Sequence, residues 1–315
     1  MTHRVVFLDR ESLPVRFTAP QCAVQYTEYA QTQPDTLLQR LATATIAITN
    51  KVPLSGAVLA QLPQIKLIAL AATGYNCIDT AFCKEHAIAV VNIRDYATHT
   101  VPEHVFSLIL ALRRNLLAYQ TAIRDGQWQR ATQFCFFDGE IHDLHGSVLG
   151  LIGFGSIGRA VASIASAFGM RVIFFDPTHP ADDRSRSLAD VLTTADIISL
   201  HCPLTQATLN LISEPQLRLM KRNALIINTA RGGLVDETAL AKALTQGWIG
   251  GAGFDVLTTE PPRAGHALLD LQLPNLLITP HIAWASVEAM EGLADQLTRN
   301  IDAWASGTPR NVVVL

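Results

Sequence analysis

The chain has 315 residues, 49% hydrophobic and 16% charged, with 24 Lys+Arg against 27 Asp+Glu for a net charge of −3. That composition suits a folded protein of about two domains and excludes an intrinsically disordered one. It offers no broad positive field for nucleic acid or an anionic membrane surface.

The first ten residues, MTHRVVFLDR, hold too short an apolar run for a signal peptide. The longest apolar run, residues 67–72, falls far short of the roughly 20 residues of a spanning helix. A cytoplasmic protein is expected. The five cysteines, Cys22, Cys77, Cys83, Cys135 and Cys202, are odd in number and form no C-x-x-C pair. Reduced thiols and no metal site follow.

Strand-like runs at residues 4–8, 45–48, 66–70 and 88–92 alternate with helical stretches at 36–42 and 54–62, which predicts a smaller α/β domain. Thr100 to Glu103 carries a capping-box pattern with Pro102 in the first turn. A helix from there to about Tyr119 links to a second domain, with Arg113 and Arg114 on a solvated face. Further strands are predicted at 148–153, 171–175, 196–200, 224–228, 251–255 and 276–279, with helices at 157–168 and 237–244 among those between them. These strands lack polar alternation, so both faces are buried, as in a parallel sheet wound with helices on both sides. The last thirty residues predict a helix ending near Gly307.

Gly153, Gly155 and Gly158 fit G-x-G-x-x-G, a weak pattern alone. Here it follows the strand VLGLIG and opens a helix. Gly153 permits the tight turn, Gly155 lets backbone approach a pyrophosphate, and Gly158 lets the helix pack on the strand. The helix N-terminus supplies free N–H groups for phosphate. Asp176 ends the next strand, 18 residues past Gly158. A carboxylate there accepts from both ribose hydroxyls and repels a 2′-phosphate, favouring NAD over NADP. Arg184 and Arg186 lie close enough in sequence to keep NADP as the alternative.

Arg231 and His281 each follow a predicted strand, and Glu260 lies a few residues past another. All three fall at the carboxyl edge of the sheet, where open α/β folds bind ligands. Reduction of a 2-keto acid needs such a set. A guanidinium holds the carboxylate and polarises the carbonyl. An imidazole protonates the developing alkoxide, and a carboxylate fixes that imidazole's tautomer.

Taken in order, the glycine loop, NTARGGLVDE, GAGFDV, TEPP and TPHIAWAS make the chain similar to the D-isomer-specific 2-hydroxyacid dehydrogenases. The resemblance extends to residues 71–79 and 92–97. VPEH at 101–104, the segment 133–138 and HIAWAS are most like the bacterial glycerate dehydrogenase (hydroxypyruvate reductase) branch. The resemblance implies Arg231, Glu260 and His281 as the catalytic residues. It implies Ser156 and Ile157 as phosphate-loop donors and Asp255 on the nicotinamide carboxamide. Thr100 and Ala230 fall on the cofactor side, and His201, Cys202, Pro203 and Thr208 cover the adenosine side. Thr73 and Gly74 match the turn that holds the substrate carboxylate. Asn76 departs from the Asp that many members carry.

The implied fold is two Rossmann-like domains: a doubly wound parallel sheet in the cofactor domain and a smaller flavodoxin-like substrate domain. The expected boundaries are residues 1–97 with 287–315 for substrate and 98–286 for the dinucleotide. A homodimer is expected. Expected chemistry is NAD-linked interconversion of a small 2-keto acid, hydroxypyruvate first, with a D-2-hydroxy acid. Alternatives are a D-3-phosphoglycerate or D-lactate type dehydrogenase, or a non-catalytic NAD-sensing corepressor on the same fold. Phosphoglycerate would want basic residues near the substrate turn, where Lys51 is the one candidate.

Overall fold

The computed structural model describes residues 3–315. The chain divides into two units, Met1–Ala97 with Ala285–Leu315, and Thr98–Trp284. Five strands of the first unit come early: β1 (His3–Phe7), β2 (Ala23–Glu28), β3 (Ile46–Thr49), β4 (Leu67–Leu70) and β5 (Ala89–Val91). Between them lie α1 (Pro34–Leu41), α2 (Gly56–Leu59) and α3 (Thr80–Glu85). Pro34 suits the first helical position of α1, and Leu37 and Leu41 form its buried face. Asp79 caps α3 by accepting from Phe82 N.

The second unit opens with α4 (Thr100–Arg113) and α5 (Leu116–Arg124). It continues through β6 (Val148–Ile152), α6 (Ser156–Ala167), β7 (Arg171–Phe175), α7 (Leu188–Thr194), β8 (Ile197–Leu200) and α8 (Glu214–Leu219). β9 (Leu225–Asn228), α9 (Glu237–Thr245), β10 (Gly251–Phe254) and β11 (Leu276–Ile278) complete it. The chain then returns to the first unit with α10 (Val287–Ala305) and β12 (Val312–Val314).

The first sheet runs β12-β5-β4-β3-β1-β2, parallel except for β12 against β5. Its parallel part has the 2-1-3-4-5 order of flavodoxin-like folds. The second sheet runs β11-β10-β9-β8-β6-β7 and is wholly parallel. One of its faces packs Val191, Leu217 and Leu240 from α7, α8 and α9. The other packs Val105 and Ile109 of α4 with Val161 of α6. The doubly wound α/β reading therefore holds. Burial on both faces explains the continuous apolar strands; truncating fully buried Phe254 to Ala would cost about 3–5 kcal/mol.

Several local expectations fail. The linking helix does not run on to Tyr119, because Asn115 adopts a left-handed conformation (φ 53°) that separates α4 from α5. Thr100 is not a cap: His99 takes that position, and the Thr100 hydroxyl donates to Ala283 O at 3.2 Å. Arg113 is not on a solvated face but 7% exposed. Helix α2 is shorter than 54–62, because Leu54 is held in a strand-like bridge with Ile78. β2 and β12 went unpredicted; β12 is only three residues long and is a strand by virtue of pairing with β5. The last helix ends as expected, with Gly307 at φ 82° and its N–H on Trp304 O.

Candidate active site

In the second sheet the strand order reverses between β6 and β8, and their two following loops meet there. Gly153 has φ 99°, and a Cβ on it would lie 2.7 Å from His201 C and Cys202 N. A Cβ on Gly158 would sit 2.4 Å from Gly153 O, so α6 packs directly on the turn. Gly155 faces open space, the room a pyrophosphate needs. Ser156 and Ile157 form the first turn of α6, whose amides point there.

Asp176 follows β7, and Phe154 N of the glycine loop donates to its Oδ2 at 2.7 Å. Thr178 donates to Oδ1 through its backbone N (2.9 Å) and its hydroxyl (2.6 Å). Burial opposes ionisation of Asp176, yet these hydrogen bonds and nearby His179 hold its carboxyl below the usual range. Arg184 is committed elsewhere: its guanidinium grips Asp182 at 2.8–3.0 Å and lies over the Phe154 ring. Arg186 donates to Asp183 O and Ser185 O.

His201 follows β8, and Ser199 Oγ lies 2.9 Å from its Nε2. Burial pushes its pKa down to about 4, so the ring is neutral. Burial pushes the Cys202 thiol up to about 11, marking it as packing rather than a nucleophile. Thr208 ties this loop by donating to Pro203 O at 2.7 Å and accepting from Thr205 N at 2.7 Å.

Arg231, Glu260 and His281 are joined by backbone contacts at the ends of β9, β10 and β11. Asn228 closes the turn before Arg231 by donating to its carbonyl (2.9 Å) and accepting from Ala230 N (3.1 Å). The next residue, Gly232, packs so tightly that a Cβ would lie 2.0 Å from Leu257 C and O. Leu257 N in turn donates to Glu260 Oε1 at 2.8 Å. Glu260 Oε2 lies 2.6 Å from His281 Nδ1. An ionised carboxylate only accepts, so Nδ1 carries the proton of that bond, and Nε2 is left to face a ligand. Both side chains are about one-third exposed, 27% for His281 and 33% for Glu260. Arg231 Nη1 donates to Ala230 O at 2.6 Å. Among the described residues no carboxylate lies within 4 Å of Arg231. Its charge is open to an anionic ligand.

Asp255 is 1% exposed, and its carboxylate organises the loop that carries His281. It accepts from Thr279 Oγ1 (2.5 Å), Ile282 N (2.9 Å) and Ala283 N (2.8 Å). His281 N donates to Asp255 O, and the residue sits at φ 57°. Trp284 Nε1 donates to His281 O, bracing the same loop. His104 Nε2 lies 3.0 Å from Thr279 Oγ1. Because the Thr279 proton points to Asp255, His104 donates. Sequence reasoning missed His104, Thr279 and Gly232; the TPH and VPEH segments held two of them, but nothing in the spacing tied them together.

Thr73 and Gly74 belong to the first unit, in the turn after β4. Asn92 Nδ2 donates to Thr73 O, and Thr73 Oγ1 donates to Ile93 O, both at 2.8 Å. At the β1/β3 edge of that unit, buried Asp9 accepts from Asn50 N and Lys51 N and so fixes their turn. Among the described residues no His/Cys/Asp/Glu group could hold a metal. No described helix is long and apolar enough to cross a membrane.

Residues 106–283 match the family described as D-isomer specific 2-hydroxyacid dehydrogenase, NAD binding domain. The chain is 52% identical over 314 residues to a glycerate dehydrogenase of Methylorubrum extorquens, covering 99% of both chains. It is 34% identical to a hydroxypyruvate reductase of Blautia hydrogenotrophica, across 93% of this chain and 92% of that one. A solved D-lactate dehydrogenase of Aquifex aeolicus, complexed with NAD and lactic acid, superposes with a TM-score of 0.82 at 28% identity, covering 99% of each chain. With whole-length similarity added to a glycine loop and a His–Glu pair at one sheet edge, the chain belongs to the D-isomer-specific 2-hydroxyacid dehydrogenases and is an NAD-dependent oxidoreductase.

Proposed function

We propose that the chain interconverts hydroxypyruvate and D-glycerate, with glyoxylate as a slower substrate. The observation that carries this reading is the 2.6 Å His281–Glu260 contact, locked by backbone to the turn of Arg231. The substrate follows the similarity to a glycerate dehydrogenase and a hydroxypyruvate reductase.

NAD fits the second unit. The open space over Gly155, the amides of Ser156 and Ile157, and the Asp176 carboxylate suit its pyrophosphate and ribose. NADH, when bound, supplies the two-electron reduction of the keto carbon. His281 gives its Nε2 proton to the carbonyl oxygen, so the product leaves as a neutral alcohol. Glu260 keeps that nitrogen facing the substrate and steadies the imidazolium before transfer; the neutral ring left afterwards keeps its Nδ1 proton on Glu260. Arg231 holds the substrate carboxylate. Asp255 acts on the loop of His281; its buried oxygens are already engaged there. Thr100 acts likewise through its hydroxyl, on Ala283 O, and Ala230 through its carbonyl, on the Arg231 guanidinium.

The first unit serves as the substrate-binding domain and the second as the dinucleotide-binding domain. A second copy of the chain covers exposed apolar side chains between residues 116 and 137, among them Leu116, Leu117, Trp128, Phe134 and Phe137, the last two 88% and 86% exposed. A dimer by light scattering, lost in a Phe134→Glu/Phe137→Glu double variant, tests that. We place the protein in the cytoplasm.

Initial rates with NADH and NADPH against hydroxypyruvate, glyoxylate, pyruvate, 3-phosphohydroxypyruvate and a branched 2-keto acid test the function. Hydroxypyruvate with NADH is expected to give the highest kcat/KM. A pocket that hydrogen-bonds the substrate hydroxyl penalises pyruvate, which lacks it. A ratio near one for these two, or a phosphorylated or branched substrate ahead, overturns the substrate assignment. Absence of turnover with every keto acid favours the NAD-sensing reading.

A further inference from the structure

The N-terminal edge of the second sheet carries a different feature. Where β9, β10 and β11 begin, a solvent-open cavity of about 600 Å³ is lined by Arg113, Arg222, Asn115, Asn223 and Asn275. A four-residue strand such as β9 spans about 13 Å, so the cavity is remote from the turn of Arg231. Nothing in the proposed reaction uses it.

Arg113 is the anomaly. It is the last residue of α4 and 7% exposed. Its Nη2 donates to Asp143 O at 2.7 Å, while its Nε is buried with no hydrogen-bond partner. Among the described residues no carboxylate reaches within 4 Å of it. The two nearby acids are engaged elsewhere. Asp143 pairs with Arg114 at 3.1 Å, and Asp196 pairs with Lys221 at 2.8 Å. Burial works against the Arg113 charge, and the more distant charges of Asp196 and Asp143 offset this only in part. An unpaired, partly unsatisfied buried cation is costly unless something anionic completes it.

The rest of the cavity fits an anion. Exposed Arg222 brings a second guanidinium and Asn223 a side-chain amide, while the amides of Asn115 and Asn275 already donate to Asp138 O and Gly250 O. The one carboxylate in the wall, Glu140, is 84% exposed and lies 3.1 Å from His142 Nε2.

We infer that this cavity is a second ligand site, one that takes a small oxyanion bearing a phosphate or carboxylate group on Arg113 and Arg222. An occupant there sits against the start of β9, whose far end carries the turn of Arg231. It therefore binds together with the dinucleotide rather than in its place.

The test uses the full chain saturated with NADH, which occupies the phosphate loop. Inorganic phosphate and, separately, malonate are titrated by calorimetry, with sodium chloride at matched ionic strength as the control for screening. Saturable binding at millimolar concentration is expected, and it should raise the thermal midpoint. Binding of phosphate alone assigns a phosphoryl ligand, and binding of both probes assigns a general oxyanion. Arg222→Glu, at an exposed position, should weaken binding at least about tenfold and leave turnover unchanged. Arg113→Gln should do the same to binding. If Arg113→Gln does not fold, Arg222→Glu alone decides. No saturable binding of either probe, or undiminished affinity in Arg222→Glu, overturns the inference.

Discussion

Glu260 touches His281 with one carboxylate oxygen, at 2.6 Å from Nδ1, and the Leu257 amide with the other, at 2.8 Å. The acid is thus pinned to its own loop while it orients the imidazole. Glu260→Gln keeps the shape but replaces one acceptor with an amide that donates, favouring the wrong tautomer of His281. We expect kcat to fall by about 10²-fold with the NADH affinity unchanged. Steady-state kinetics and NADH fluorescence titration check both parts, and a variant with undiminished kcat contradicts the pairing.

Gly232 packs backbone to backbone on Leu257, where a Cβ would approach to 2.0 Å. Gly232→Ala must push the turn of Arg231 away from the loop of Glu260. We expect a loss of kcat/KM together with a lower thermal midpoint. Arg231→Lys, by contrast, should lower kcat/KM with the midpoint unchanged, because it loses only the planar fork. Equal midpoints for wild type and Gly232→Ala would show that the contact is not tight.

The Asp176 carboxylate, held below the usual range by its hydrogen bonds, is charged at neutral pH and repels a 2′-phosphate. Arg184 is already paired with Asp182. The wild type should therefore prefer NADH. Asp176→Ala should relax the preference mainly by improving kcat/KM for NADPH. A wild type that favours NADPH contradicts the ribose assignment.

His201 predicts an acid sensitivity of stability. Its folded pKa of about 4 lies below the ordinary value near 6.5. Between these values the unfolded chain takes up a proton that the folded protein refuses, so stability is lost as pH falls from about 6.5 to 4. The loss from this group is at most about 3 kcal/mol. Denaturant titrations of wild type and His201→Gln should converge as pH falls through that window. Parallel curves contradict the buried neutral ring.

The layout of both sheets was legible because strands buried on both faces write themselves as apolar runs, and because the glycine loop demands a strand before it and a helix after it. The grouping of Arg231, Glu260 and His281 was legible for a related reason: each follows a strand of the same sheet. What was not legible depends on approach in space. Arg113 reads as half of a surface Arg pair, and only the packing of the α4 end shows it buried. Asp255 reads as a ligand contact, and nothing in its local sequence shows that its carboxylate also holds Thr279, Ile282 and Ala283. Asn115 has no local signal strong enough to predict that the helix breaks there.

The most direct test is single-turnover oxidation of bound NADH by hydroxypyruvate in wild type and His281→Ala, with NADH affinity measured in parallel. The account predicts that the wild type oxidises NADH and that His281→Ala binds it equally well but reacts about 10²–10⁴-fold more slowly. A His281→Ala variant that reacts at the wild-type rate would contradict it.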